Sequence, residues 1–131
     1  MTLDPELRSV IAGIEEWFGR DLDLFLNGWD APVTVVGAAG TMVLADRAQA
    51  GAMFGALFSS LAEKGFERTT ADTVRTRRLG DDLALVDAAF TRRRSDGSTL
   101  ERVGALYVCR RVAGAWKIVA LIPHPPDTAA L

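Results

Sequence analysis

Cysteine and histidine are nearly missing from this chain: one of each in 131 residues. Cys109 therefore has no partner within the chain for a disulfide, and no Cys/His cluster has the spacing of a zinc site, so no metal and no cofactor is expected. A charge excess is lacking too. The 15 basic and 17 acidic residues leave a formal net charge of −2, which gives no general reason to expect nucleic acid or an anionic membrane as partner. No apolar run is long enough to span a bilayer. The opening stretch MTLDPELRSV lacks the basic-then-apolar layout of a secretion signal, and a cytoplasmic protein is the expectation.

Apolar residues are what the chain has in quantity. At 49% of the sequence they suffice for the core of one domain. In the first half they recur with a helical period: Leu7, Val10, Ile11, Ile14, Trp17 and Phe18, then a shorter stripe of Leu22, Phe25, Leu26 and Trp29. Pro32 separates these from two short extended pieces around Gly37 and Gly40. Asp46 with Gln49 resembles a capping box and opens the clearest helix, with Ala50, Met53, Phe54, Leu57, Phe58 and Leu61 on one stripe. The second half alternates with a period of two. Asp96-Gly97, Ala113-Gly114 and a turn near Gly80 divide it into about four strands, roughly 67–79, 82–94, 99–111 and 115–122. Helices followed by strands predict an α+β fold, with N-terminal helices packed on a curved antiparallel four-strand meander.

Counting outward from the turns registers the sheet. A two-residue turn at Asp96-Gly97 pairs Asp87 with Leu106 and Leu85 with Val108. A similar turn at Ala113-Gly114 pairs Leu106 with Leu121 and Val108 with Val119. One face then carries Leu85, Asp87, Ala89, Leu106, Val108, Val119 and Leu121. The other carries Phe90, Tyr107, Cys109, Trp116 and Ile118. Both are apolar, and the helices suffice for only one. Aromatic residues are enriched at subunit interfaces. The expectation is therefore a homodimer through Phe90, Tyr107, Trp116 and Ile118, with the helices on the opposite face. An apolar pocket would then be lined by Leu85, Leu106, Val108, Val119 and Leu121 from the sheet and Trp17, Phe54 and Phe58 from the helices.

The order of elements resembles the nuclear-transport-factor-two-like superfamily, above all its SnoaL-like and ketosteroid-isomerase-like members. The stretches that carry the likeness are VTVVGAAGTMVLADRAQAGAMFGALF, LGDDLALVDAAFTRRRSDGS and GAWKIV. It implies one SnoaL-like domain over residues 1–131. Its fold would be a cone-shaped barrel with helices closing over a concave sheet around an apolar pocket, dimeric through the outer face of the sheet. It also implies where ketosteroid isomerases keep their catalytic groups. The general-base aspartate matches about Gly37, the oxyanion-site aspartate Leu106, and the helix-one tyrosine has only Trp17 or Phe18 nearby. Glycine and leucine supply neither a base nor a donor, so steroid isomerisation is not expected.

Asp87 stands out among the polar residues because LALVDAAF surrounds it with apolar neighbours. A buried carboxylate needs a partner or a role. Asp72, placed beside Ala89 on the same face, is the candidate second carboxylate of an acid/base pair. His124, between prolines at the end of the last strand, is the candidate for proton transfer near neutral pH. The bland reading ties Asp87 to a helix terminus or an arginine, leaves His124 at the rim, and makes the strand-end arginines Arg92, Arg93 and Arg94 solvated guards against edge pairing. The functional expectation is a domain binding a small apolar organic molecule. Its chemistry, where present, would be that of an acid/base lyase, cyclase or isomerase using Asp87, His124 and Asp72. The alternative is a non-catalytic dimeric binding or assembly module.

Overall fold

The computed structural model describes residues 4–131; the first three residues of the domain expected over 1–131 lie outside the described residues. Asp4 caps a short turn over Pro5–Leu7 by accepting from the Glu6 N–H at 2.9 Å. That turn leads into α1 (Arg8–Trp17), followed by α2 (Leu22–Leu26), capped by the Asp21 carboxylate. The two pieces around Gly37 and Gly40 form a hairpin of β1 (Trp29–Gly37) and β2 (Gly40–Leu44). Helix α3 (Arg47–Glu63) starts where Asp46 accepts from the Gln49 N–H at 2.9 Å. The reciprocal bond runs from the Ala45 N–H to Gln49 Oε1, one residue earlier than in a standard capping box. The chain then makes four strands: β3 (Phe66–Arg78), β4 (Leu83–Arg94), β5 (Thr99–Val112) and β6 (Ala115–His124).

The four-strand meander is extended by the β1–β2 hairpin into one six-stranded sheet, ordered β2-β1-β6-β5-β4-β3, in which β1 runs parallel to β6. The helices pack on one face of this curved, unclosed sheet, giving an α+β cone. None of the described helices is long and apolar enough to cross a membrane.

Two local irregularities decide the register. At Asp96-Gly97 the turn is one residue longer than the count assumes: the Arg94 N–H donates to the Ser98 carbonyl, and Gly97 takes φ +86°. A bulge just beyond restores the count, so Asp87 pairs with Leu106 and Leu85 with Val108 as expected. In β6 a second bulge does the opposite. Cys109 still pairs with Ile118, but Val108 pairs with Ala120, Tyr107 with Leu121 and Leu106 with Ile122. Leu121 therefore changes face, and Val119 sits at the bulge.

The helices cover the face expected to form the dimer. Phe90, Tyr107, Trp116 and Ile118 are all buried within one chain, beneath Val10, Ile11 and Ile14 of α1 and Phe54 of α3. That face cannot be the site of a partner as expected. The energetics explain the reversal. Large aromatic and aliphatic side chains each contribute about 1.5–3 kcal/mol on burial. The other face would have placed Asp87, with Arg75 and Arg77 beside it in the register, under the helices at a cost of several kcal/mol. Alternation located both faces, but side-chain size and charge chose between them.

Candidate functional site

Between the helices and the concave face of the sheet lies a cavity of about 260 Å³. Its roof is aromatic: Phe18 packs edge-on against Phe25 at 5.6 Å between ring centroids, and Phe25 against Phe54 at 5.0 Å. Trp29, at the start of β1, closes one side at 4.9 Å from Phe54. Phe90, Val103, Ala105, Tyr107 and Leu121 form the floor. The cavity exists in part because β5 places a small residue, Ala105, beneath the helices where a large side chain would fill the space.

Three polar side chains reach this apolar space. Thr69 and Arg92 face each other across β3 and β4, and both line the cavity. Thr69 is 4% exposed, and its hydroxyl has no hydrogen-bond partner among the described residues. Arg92 donates from one terminal nitrogen to Glu101 at 2.6 Å and stacks over Phe18 at 4.6 Å, while its buried Nε also lacks a partner. Tyr107 is the third. Burial pushes its hydroxyl well above the ordinary phenol value of 10.0, against a smaller opposing pull from the charge of Arg92, so it stays neutral. Among the described residues lining the cavity there is no carboxylate, imidazole or thiol. The arrangement offers apolar surface, two hydroxyls and a guanidinium.

Of the expected pocket residues, Phe54 and Leu121 line the cavity. Phe58 packs behind it, 4.9 Å from Phe18. Trp17 lines a separate hollow beside Trp116. Leu85, Leu106 and Val108 lie on the convex face, paired there with Arg77, Ile122 and Ala120, and Val119 marks the β6 bulge. Gly37 stands at the β1–β2 turn and Leu106 points away, so neither position matched to a ketosteroid-isomerase carboxylate lies at the cavity.

Asp87, His124 and Asp72 also belong to the convex side. Asp87 Oδ1 meets His124 Nε2 at 2.6 Å, and Oδ2 accepts from the Ala130 N–H at 2.8 Å. The C-terminal segment thus folds back over the sheet, and its Pro126, Thr128 and Ala129 enclose a small hollow with Asp87. Asp72 is the extra residue of a bulge in β3; it accepts from the Thr91 hydroxyl at 2.6 Å and makes no contact with Asp87. The two carboxylates do not form a pair, and neither reaches the apolar cavity. Sequence reading missed Thr69 and Arg92. Arg92 shares the parity of Phe90 on β4, a countable signal that its place in a run of three arginines hides.

The fold is shared with solved structures. A cystatin-like protein of unknown function from Nostoc punctiforme superposes with a TM-score of 0.76 at 16% identity, covering 100% of both chains. An NTF2-like protein of unknown function from Shewanella oneidensis gives 0.72 at 14% identity, over 90% of this chain and 95% of its own. Aln2 from Streptomyces gives 0.72 at 17% identity, over 97% and 96%. No curated protein matches the chain. A family model described as NTF2-like protein (DUF6841) matches residues 10–126, and the chain belongs to this NTF2-like family.

Proposed function

We propose that this protein is a single-domain binder of a small, largely apolar organic molecule, held in the cavity between the helices and the concave sheet. The cavity itself supports the reading: about 260 Å³ of space with a predominantly apolar and aromatic lining and a few polar groups. Core packing leaves few voids larger than a water molecule, so a space of this size needs a reason. Binding fits the lining better than proton transfer, since a general base must reach the proton it takes. Asp87 and His124 are engaged on the far side of the sheet.

Equilibrium dialysis with naphthalene tests this. One molecule is expected to bind per chain, and Ala105→Leu, which fills the floor of the cavity, is expected to abolish binding while keeping the fold by circular dichroism. No binding to the unaltered protein, or equal binding to the filled variant, overturns the reading.

A second reading, assembly of two copies, draws on the convex face. Val36, Ile122 and Leu106 lie level across β1, β6 and β5, and Val43, Thr34, Ala120, Val108 and Leu85 form the neighbouring row. Val36, Val43 and Ile122 are 40%, 57% and 36% exposed. Adjoining exposed apolar side chains of this kind mark an interaction surface when they form one patch.

A further inference from the structure

Resting on the binding reading above, we propose that the ligand class is a small apolar monocarboxylate, with its hydrocarbon body among the phenylalanines and its carboxylate between Thr69 and Arg92. The observation is the pair of unused donors. Buried hydroxyl and guanidinium hydrogens without partners are rare, because each forfeits its bond to water and receives nothing in exchange. Here two such groups stand opposite each other in the β3–β4 register and border the same cavity.

Their chemistry selects the ligand. Arg92 Nε and the Thr69 hydroxyl can both donate, and a carboxylate offers two acceptor oxygens on one carbon. The guanidinium supplies a charge-assisted bond, the stronger kind. Glu101 takes one terminal nitrogen of Arg92, the guanidinium lies over Phe18, and Nε is left buried without a partner. The rest of the lining is apolar, so the remainder of the molecule must be hydrocarbon. A sugar or nucleotide would leave its own hydroxyls or phosphates without partners there.

The test compares naphthalene, naphthalene-2-carboxylate and its methyl ester by equilibrium dialysis. The carboxylate is expected to bind at least tenfold more tightly than the hydrocarbon, with the ester between them. Arg92→Met, which keeps a long apolar side chain over Phe18, should remove the preference for the carboxylate over naphthalene. Thr69→Val should reduce the preference several-fold. It should not lower the melting temperature of the ligand-free protein, because the lost hydroxyl had no partner. If naphthalene binds as tightly as the carboxylate, or both variants keep the preference, the carboxylate assignment is wrong while the binding reading stands. Binding of the ester as tight as the carboxylate identifies a neutral carbonyl ligand and also overturns the assignment. Failure of all three to bind removes the binding reading itself.

Discussion

His124 reaches from β6 across the whole width of β5 to meet Asp87 of β4 at 2.6 Å, and it passes directly over Gly104. A Cβ at residue 104 would lie 2.7 Å from Nδ1 of that ring and 2.8 Å from the His124 carbonyl oxygen. The glycine is therefore what allows the crossing. Nδ1 faces the Pro125 carbonyl at 2.8 Å, and since a carbonyl only accepts, that nitrogen carries hydrogen. Every polar atom of this cluster has a partner, which is the geometry of an anchor.

Asp87 is accordingly expected to matter for stability and not for ligand. Asp87→Ala removes the acceptor of two bonds, one of them from the backbone of Ala130, and should cost about 2–3 kcal/mol. Asp87→Asn keeps one acceptor oxygen and should cost about 1 kcal/mol. Thermal denaturation beside naphthalene dialysis checks both parts. An unchanged melting temperature with lost binding would restore Asp87 to the functional site.

Gly104→Ala should destabilise the protein by about 1–3 kcal/mol through overpacking against the imidazole and the β6 backbone. The penalty should shrink by at least about 0.5 kcal/mol in a His124→Ala background, where the ring is no longer there to collide. Strict additivity in that double-mutant cycle would show that the ring is not the obstacle.

Stability is expected to fall in alkali. Burial pushes the Cys109 thiol up from 9.0 to about 12 and raises the Tyr107 hydroxyl well above 10.0. Both groups stay protonated in the fold, whereas the unfolded chain releases their protons above pH 9 to 10. The stability tied to these groups is thus fully present below pH 9 and declines as pH rises towards 12. Tyr107 is the only tyrosine, so absorbance near 295 nm should show no tyrosinate until the protein unfolds. A reversible tyrosinate step near pH 10 in the folded protein would contradict its burial.

For assembly, Val43→Asp and Ile122→Asp alter exposed positions on the convex face and should leave the unfolding free energy of the isolated chain within about 0.5 kcal/mol of its unaltered value. If that face joins two copies, sedimentation should show a dimer that these changes convert to monomer. A dimer mass that survives both substitutions rules this face out.

Much of this architecture was legible in the chain itself, because its causes are local. The stripe from Leu7 to Ile14 and the period of two along β4 and β5 dictate helix and strand. Asp46 with Gln49, and Gly97, mark where those elements start and turn. Such features depend on neighbours within a few residues, and so the order of elements followed by counting, while the pairing of Asp87 with Leu106 came out as counted because a bulge at Arg92 and Arg93 offsets the longer turn. Tertiary structure alone decided the rest. The bulge in β6 moves Leu121 onto the cavity side and carries Ile122 and His124 to the convex side, and nothing in the alternation of AWKIVALIPH announces it. The choice of covered face depended on the summed burial of Phe90, Tyr107, Trp116 and Ile118 against the cost of covering Asp87. The meeting of Asp87 with His124 joins β4 to β6 across the intervening β5, and the energy that rewards it exists only once the sheet has formed.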